Sequence, residues 1–528
     1  MEKTKNDNTF LKSALLLTFG GIIAKILGAV YRIPLTNLLG TFAMGLYQLV
    51  FPLYGLLITV SFGFSVAVSK AVARERQLNS CVSCKRILRC ALWCLGGLGA
   101  ILSLVLLIFA EKIAILQGNA LVADAYKILS PAVFLVSLTG ALKGYFQGQM
   151  KMRPTALSQI AEQLAKLILG LVFASNALPD ELKAVNGAIF AITLSEGISL
   201  LVFIFYYFSE QKKTVYSCCQ LTANTDKQIY LQLFKTALPI TLSGILAPLS
   251  QLIDSSLMLK LLPTDATRLY GIWSGPVHSL FAMPIMLSAG ISSAILPDVS
   301  GNVAVGNKES VSKKVNLAFK LGNVIVMPCV VGFLFISPQI IRLLYGALPV
   351  EDIYLSGRLL SLVSVASLLV CYAGTFGAVL QGAGKEYVSL GILAISIVVK
   401  TLINLILLPN QKVGVFAIAF STILCYFVSV ALNLLYLNKN LGIKIDLWGT
   451  FTKPLVACVF LAVPLFLANW LAHDFLNTKV GTVVVIAFAG IIYCIATVVL
   501  KVFDGLLPAL KTKLKYRGKK YANSITSD

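Results

Sequence analysis

The chain has 528 residues, of which 58% are hydrophobic and only 12% are charged. Soluble globular proteins carry about 25% charged residues, so this composition excludes a soluble protein and indicates a polytopic membrane protein. The formal net charge of +22 would suit nucleic-acid binding, but it follows the pattern of membrane loops described below, and we expect no nucleic-acid partner.

Apolar stretches long enough to cross roughly 30 Å of hydrocarbon recur along the whole chain. The segments between them are too short to form a soluble domain. The sequence therefore predicts an all-α polytopic membrane protein with about 14 transmembrane helices. In chain order, their predicted cores are residues 10–39, 42–73, 87–110, 126–149, 154–177, 184–209, 229–261, 268–297, 315–337, 353–383, 386–409, 413–438, 447–472 and 479–504.

Lysine and arginine are concentrated in the two tails and in alternate loops, such as the one that holds Arg74, Arg76, Lys85 and Arg86. Basic loops stay on the cytoplasmic side of a membrane, so we expect a cell-membrane protein with cytoplasmic N- and C-termini. The start of the chain has no small-residue cleavage site after a short apolar region, so no removed signal peptide is expected. The basic segment 506–528 is expected to attract anionic lipids.

Motifs for metal or nucleotide chemistry are missing from the sequence. The pair in "CVSC", Cys81 and Cys84, has no second pair beside it, and His278 and His473 are the only histidines. This pattern predicts no metal site. The chain also lacks a GxxxxGK[ST] loop, so we expect no cofactor and no nucleotide hydrolysis, and an energy source in the membrane potential or in a coupling ion, Na⁺ or H⁺.

An internal repeat organises the chain. "KSALLLTFGGIIAKI" from Lys12 aligns without gaps with "KTALPITLSGILAPL" from Lys235, and a second match aligns Ser130 with Ser364 and Lys166 with Lys400. Both matches join helices six apart, which predicts two parallel six-helix lobes, a transporter architecture with the substrate site between lobes. The predicted parts are 1–209 (N-lobe, helices 1–6), 210–228 (cytoplasmic linker), 229–440 (C-lobe, helices 7–12), 441–505 (helices 13 and 14) and 506–528 (basic cytoplasmic tail).

Two cations, Lys25 and Arg32, lie within the first apolar segment. Positions 21, 25, 28, 29 and 32 share one face of a helix, so the cations lie among small residues. Because an intramembrane cation costs at least roughly 2.5 to 3.5 kcal/mol, we expect this face to line a cavity and to bind an anionic substrate group. Permanent pairing of one or both cations with carboxylates is the alternative.

Few carboxylates could pair with these cations. Glu162 and Lys166 are spaced for an intrahelical pair, whereas Glu196 and Asp254 are candidate counter-ions. The repeat aligns Asp254 with Tyr31, beside Arg32, which suggests an Arg32–Asp254 gate; a local structural role for Asp254 is the alternative. Lys143 and His278 are further candidates for the substrate cleft; the alternatives are that either side chain faces the helix core or extends toward the membrane surface.

The segments "SALLLTFGGIIAKILGAVYRIPLTNLLG" and "MGLYQLVFPLYGLLITVSFGFSVAVSKAVARE" resemble the SpoVB family of polysaccharide and lipid-linked oligosaccharide exporters. This family belongs to the multidrug/oligosaccharidyl-lipid/polysaccharide (MOP) superfamily, together with the lipid II flippases. The resemblance implies a fourteen-helix fold with two lobes forming a V and a cationic central cavity. Lys25, in "AKILG", matches a basic position of the lipid II flippases, whereas "LITVSFGFS" lacks their second-helix charges and His278 only approximates an arginine of their eighth helix.

The resemblance further implies a flippase that carries an undecaprenyl-pyrophosphate-linked saccharide from the inner to the outer leaflet, with the lipid tail in a groove beside helices 13 and 14. A peptidoglycan precursor is the expected cargo, and envelope-synthesis enzymes are expected partners. A MATE-like exporter of cationic drugs is one alternative, although it should have carboxylates where this chain has Lys25 and Arg32. A non-transporting membrane scaffold and a glycosyltransferase or polymerase are further alternatives, and both are disfavoured by the short loops.

Overall fold

The computed structural model describes residues 2–77, 81–211, 225–443 and 446–502. The predicted basic tail, 506–528, and most of the predicted linker, 210–228, lie outside these residues. Throughout the described part of the chain the regular secondary structure is helical, which confirms the predicted all-α class.

Fifteen helices follow one another along the described residues. They are α1 (Glu2–Gln77), α2 (Cys81–Gln117), α3 (Ala123–Gly148), α4 (Arg153–Ala177), α5 (Glu181–Gln211), α6 (Asp226–Leu261), α7 (Ala266–Ile272), α8 (His278–Ala304), α9 (Lys308–Leu344), α10 (Val350–Gly382), α11 (Glu386–Leu407), α12 (Phe416–Tyr436), α13 (Leu447–Leu471), α14 (His473–Leu476) and α15 (Lys479–Val499). Twelve helical spans of the described chain are long and apolar enough to cross a membrane. The protein is therefore a multi-pass membrane protein.

The first two predicted segments, 10–39 and 42–73, both lie in α1. They are separated at Gly40, whose backbone angles of φ 75° and ψ 178° are not helical. This region of backbone space is open essentially to glycine alone, because a Cβ atom would clash there. Counting α1 as one span explains part of the difference between twelve spans and about 14 predicted helices.

The predicted eighth segment, 268–297, is not among the twelve spans. It is divided into α7, a π-helical turn at Trp273–Val277 and α8. Pro276 lies inside that turn, and its missing amide hydrogen removes a backbone hydrogen bond. The helix is therefore irregular around Pro276, and α8 begins directly after the turn, at His278.

The described helices form two compact units. Unit 1 consists of the described residues within 1–279, 344–356 and 397–421, and unit 2 of those within 280–343, 357–396 and 422–502. The two units are defined by which helices contact each other in the structure. The predicted lobes, 1–209 and 229–440, were defined by the sequence repeat, so the units do not test them. The lobes as predicted therefore stay a prediction.

Unit 1 has a core of apolar side chains from α1, α2, α3, α5 and α6, among them Val68, Phe146, Phe203 and Leu233. The rings of Phe146 and Phe203 stack with their centroids 5.9 Å apart. Small residues let the helices approach closely: a Cβ atom added at Gly148 would stand 2.7 Å from the Ser69 carbonyl oxygen. Close packing through small residues is the usual way in which membrane helices associate.

Unit 2 has one apolar core among α8, α9, α10, α11 and α12. In this core the ring centroids of Phe319 and Phe376 lie 4.7 Å apart. A second core joins α9 to α13 and α15. There the Tyr493 hydroxyl donates a hydrogen bond of 2.8 Å to the Val324 carbonyl. The two helices predicted to lie outside the repeat are thus attached to α9.

We expect Gly40→Ala to lower the free energy of unfolding by about 1 to 3 kcal/mol, because alanine is strained at this φ and ψ. Gly97→Ala is the matched control, since Gly97 is helical and a Cβ there meets no atom within 4 Å. Thermal unfolding of the purified protein in detergent measures both changes. Equal unfolding temperatures for the two variants would contradict this account of the break in α1.

Candidate functional site

The N-terminal part of α1 has three distinct faces between residues 20 and 32. The exposed apolar side chains of Ile23, Ile26 and Val30 form one face. A second face packs against α4, where a Cβ atom at Gly20 would stand 2.7 Å from the Ala156 Cβ atom. Neither face is the one that carries the two predicted cations.

The third face carries Lys25 and Arg32. Lys25 is exposed and Arg32 is half-buried, and neither forms an ion pair within 4 Å with any described residue. A Cβ atom at Gly21 would meet nothing within 4 Å, whereas one at Gly28 would stand 3.1 Å from Gln163 Oε1 on α4. The stripe is thus open at its N-terminal end and bordered by α4 further along.

Arg32 lies at the meeting point of several unit 1 helices. Its charge acts on Lys166 of α4 and on His278 of α8. It also acts on the hydroxyl groups of Tyr47, Tyr270 and Tyr345, which are buried. The structure therefore brings together Arg32 and His278, two of the predicted site residues, and adds Lys166.

Lys166 is not paired with Glu162 as its spacing suggested. The ammonium group lies over the rings of Tyr31 and Phe51, 5.9 and 5.2 Å from their centroids. Glu162 contributes to the electrostatic environment of Lys166 but instead accepts a hydrogen bond of 2.9 Å from Gln163. Within the described chain Lys166 has no carboxylate at ion-pair distance, so its charge is stabilised by aromatic faces instead.

Glu196 and Lys143 complete the cluster around Lys166. Glu196 Oε1 on α5 accepts a hydrogen bond of 3.0 Å from the Tyr54 hydroxyl of α1. Lys143 on α3 is half-buried and lies in the field of both Glu162 and Glu196. We call Arg32, Lys143, Glu162, Lys166 and Glu196 the charged cluster; with all groups ionised it carries three positive and two negative charges.

Asp254 has a different partner from the one suggested by the repeat. Its Oδ2 atom lies 2.5 Å from Lys400 Nζ and its Oδ1 atom accepts a hydrogen bond of 2.9 Å from Asn404, both on α11. Both charged side chains are nearly buried, with exposures of 10% and 12%. An Arg32–Asp254 contact is not formed in this structure because the carboxylate is already occupied, and the predicted gate role of Asp254 stays a prediction.

The structure reproduces the sequence repeat at these positions. The repeat aligns Tyr31 with Asp254 and Lys166 with Lys400, and each aligned pair is in contact: Lys166 over Tyr31, and Lys400 against Asp254. One copy therefore pairs its lysine with a carboxylate, and the other places the equivalent lysine against a neutral ring. The alignment of the two lysines was the sequence signal that could have identified Lys166 and Lys400.

A set of polar contacts closes one end of unit 1 around Gly40. The Asn37 side chain donates to the Leu344 carbonyl at 2.7 Å, and Thr41 donates to Asp352 Oδ2 at 2.6 Å. The Asp352 carboxylate is fully buried and also pairs with Arg268. These contacts join the two parts of α1 to residues 344–352 at the break in α1, which the loop charges predict to lie on the extracytoplasmic side.

No group of three or more histidine, cysteine, aspartate or glutamate residues within the described chain is arranged to hold a metal ion. The charged cluster consists instead of cations and carboxylates, and the Tyr54 hydroxyl donates a hydrogen bond to one of these carboxylates, Glu196. Such a set can bind an anionic group through the cations and can exchange protons through the carboxylates.

Comparison with known families gives two matches. The family described as polysaccharide biosynthesis protein matches residues 10–303, and the family named MatE matches residues 239–406. The first match spans more than half of the chain and includes every member of the charged cluster. The second includes Asp254 and Lys400.

Two relatives from Bacillus subtilis (strain 168) match over most of their length. The lipid II flippase MurJ is 24% identical over 523 residues, which cover 92% of this chain and 94% of the relative. Stage V sporulation protein B is 27% identical over 476 residues, which cover 86% and 89%. The chain is thus similar to both of them over most of its length.

Solved structures show the same fold at low identity. A lipid II flippase MurJ in an inward closed conformation superposes with a TM-score of 0.71 at 15% identity, covering 93% of this chain and 100% of the other. An inward-facing multidrug resistance MATE family transporter of the MOP superfamily gives a TM-score of 0.66 at 16% identity, covering 80% and 97%. The fold is therefore shared with both kinds of transporter.

We expect Lys400→Met to lower the free energy of unfolding by about 3 to 5 kcal/mol, because it leaves the buried Asp254 carboxylate without its cation. Lys166→Met is the matched control in the other copy of the repeat, and should cost about 1 kcal/mol or less, the contribution of a cation–ring contact. Denaturant unfolding in lipid nanodiscs compares the two.

The double variant Asp254→Asn, Lys400→Met should recover most of the loss, since it removes both charges together. Equal losses for Lys400→Met and Lys166→Met, or no recovery in the double variant, would show that the Asp254–Lys400 pair is not what stabilises this part of unit 1.

Proposed function

This chain belongs to the family of polysaccharide biosynthesis proteins, within the MOP superfamily of transporters, and from that premise we propose that it moves an undecaprenyl-pyrophosphate-linked saccharide from the inner to the outer leaflet. The similarity to the lipid II flippase MurJ supports a peptidoglycan precursor as the saccharide. The proposed mechanism is alternating access, with both termini in the cytoplasm.

The observation that carries this proposal is the pair formed by Arg32 and Lys166. Two cations lie within electrostatic range of each other in membrane-spanning helices, and neither has a carboxylate at contact distance within the described chain. Cations in such a position are stable only where water, a counter-ion or a ligand faces them. A pyrophosphate group is a ligand of the right charge.

The physical task of such a flippase is to keep the pyrophosphate solvated. Taking an ionised group out of water without new partners costs many kcal/mol. The planar guanidinium of Arg32 can bind two phosphate oxygens at once, and the ammonium of Lys166 can donate to a third. Lys25, exposed on the same face of α1 as Arg32, would receive the anion before it reaches them. The polyprenyl tail can stay in the bilayer throughout.

The carboxylates of the charged cluster have a role in release. Without substrate, Glu162 and Glu196 reduce the repulsion among Arg32, Lys143 and Lys166. When a pyrophosphate enters, the same carboxylates repel it, which weakens binding and allows it to leave. A site of cations alone would hold the anion too tightly for rapid turnover.

The energy source that fits this chemistry is the membrane potential, worth about 2.3 kcal/mol per charge per 100 mV. A potential that is negative inside favours outward movement of an anion. A coupling ion, Na⁺ or H⁺, could add to it, and the carboxylates of the charged cluster are the groups on which a proton would be carried.

A second candidate function is a MATE-like, cation-coupled drug exporter. The match of the MatE family to residues 239–406 favours it, as do Glu162 and Glu196 within the charged cluster. A cationic drug would be bound by these carboxylates, so its export should survive the loss of Arg32. Export of a pyrophosphate-linked saccharide by the proposed flippase should instead be lost when Arg32 is removed.

The test is leaflet-specific detection of lipid-linked precursors in cells that are depleted of this protein and complemented with variants. We expect Arg32→Ala to reduce precursor export roughly tenfold or more, because one charge-assisted hydrogen bond contributes about 1.5 to 3 kcal/mol. Lys166→Met should have an effect of the same order, Lys25→Ala a smaller one, and Arg32→Lys an intermediate one.

Lys385→Ala is the control, since it removes one positive charge from an exposed position between α10 and α11. Cells complemented with Lys385→Ala should export the lipid-linked precursor at the wild-type level. Export that is unaffected by Arg32→Ala and Lys166→Met at equal protein levels would rule out the proposed site. Precursors that reach the outer leaflet equally well without the protein would rule out the flippase and favour a scaffold role.

A further inference from the structure

Unit 2 contains a cavity of about 500 Å³ among α8, α10, α11 and α12. Its polar lining consists of neutral side chains: Ser288, Ser292, Gln381, Ser389, Tyr426, Ser429 and Asn433. The remaining lining residues are apolar or small, and none of the sixteen is aspartate, glutamate, lysine, arginine or histidine. The cavity therefore differs in chemistry from the charged cluster of unit 1.

The space is built by small residues on α10. A Cβ atom added at Gly374 would meet no atom within 4 Å, and one at Gly377 would stand 3.3 Å from the Ser389 hydroxyl oxygen. Small residues in membrane helices ordinarily serve to bring two helices into contact. Here they leave a volume within the range of small-molecule binding sites, roughly 300 to 1,000 Å³.

The polar groups around this space retain hydrogen-bonding capacity. The Ser292 and Thr375 hydroxyls lie 3.1 Å apart, and Ser288 donates to the Ile285 carbonyl at 2.9 Å, so each serine oxygen can still accept. Asn433 is 3% exposed and gives its amide hydrogens to Ser429, while its Oδ1 atom has no partner among the described residues. Buried polar groups of this kind are normally satisfied.

A ligand for such a cavity must be uncharged, because a charge would find no counter-ion there. It must also carry hydroxyl or amide groups, because an alkyl chain would leave the serine and asparagine atoms unsatisfied. A sugar residue has both properties, and its apolar ring face can pack on the small residues of α10.

Resting on the proposed function, we infer that this cavity binds the uncharged saccharide part of the lipid-linked substrate. On this inference, neutral side chains of unit 2 rather than charged groups recognise the sugar.

The experiment compares the binding of two probes to the purified full-length protein in nanodiscs: an undecaprenyl-pyrophosphate-linked disaccharide, and undecaprenyl pyrophosphate without sugar. We expect the wild type to bind the disaccharide lipid at least tenfold more tightly than the bare lipid. Gly374→Leu, which places a side chain in open space, should abolish that difference and leave the affinity for the bare lipid unchanged.

Gly391→Leu is the matched control, because Gly391 on α11 also has no atom within 4 Å of an added Cβ but does not line the cavity. It should keep the tenfold preference. A second measurement uses Gly374→Cys and Gly391→Cys: the disaccharide lipid should slow maleimide labelling at position 374 only.

The outcomes separate this inference from the proposed function. A wild type that binds both lipids equally, a Gly374→Leu variant that keeps the preference, or labelling at position 374 that the disaccharide lipid does not slow would overturn the saccharide site while leaving the flippase standing. A wild type that binds neither lipid would overturn the proposed function and this inference with it.

Discussion

A positive charge inside a membrane needs a partner, and this requirement governs the centre of unit 1. The two copies of the internal repeat place a lysine at the same position, Lys166 in one and Lys400 in the other. Lys400 is neutralised by Asp254, whereas Lys166 lies against the rings of Tyr31 and Phe51. Where one copy has an aspartate the other has a tyrosine, so Lys166 lacks the carboxylate partner that Lys400 has.

The surroundings of Lys166 keep that cation available without leaving it isolated. An aromatic face stabilises an ammonium group by about 0.5 to 2 kcal/mol, much less than a contact carboxylate in the same place would. The carboxylates of Glu162 and Glu196 act on it from beyond contact distance. This arrangement suits the proposed function, because the free energy of binding an anion there must be large enough for capture and small enough for release.

The sequence predicts most of the helices well because length and hydropathy determine them, although the first two predicted segments share α1 and the eighth is divided between α7 and α8. It also indicates Arg32 as a candidate site residue, because a cation within an apolar segment can be recognised from the sequence alone. It does not identify the partners of Lys166 and Asp254, since these depend on how α4, α6 and α11 are rotated about their axes. The spacing of Glu162 and Lys166 fits an intrahelical pair, yet the rings of α1 lie closer to the ammonium group.

Under the proposed function, the charged cluster and the neutral cavity have different tasks. Cations bind the pyrophosphate of a loaded carrier lipid and of an empty one with similar strength, because that group is the same in both. Specificity is a difference between two affinities, so it has to come from groups that contact only the sugar. Neutral hydroxyl and amide groups suit this task, because a sugar hydroxyl that forms a hydrogen bond with them strengthens binding. A ligand without that hydroxyl binds more weakly, because it leaves a buried polar group without a partner.

The neutral cavity of unit 2 has that composition, and the charged cluster of unit 1 does not. A membrane protein that used cations for both tasks would bind the empty carrier as well as its cargo and would return it to the wrong leaflet.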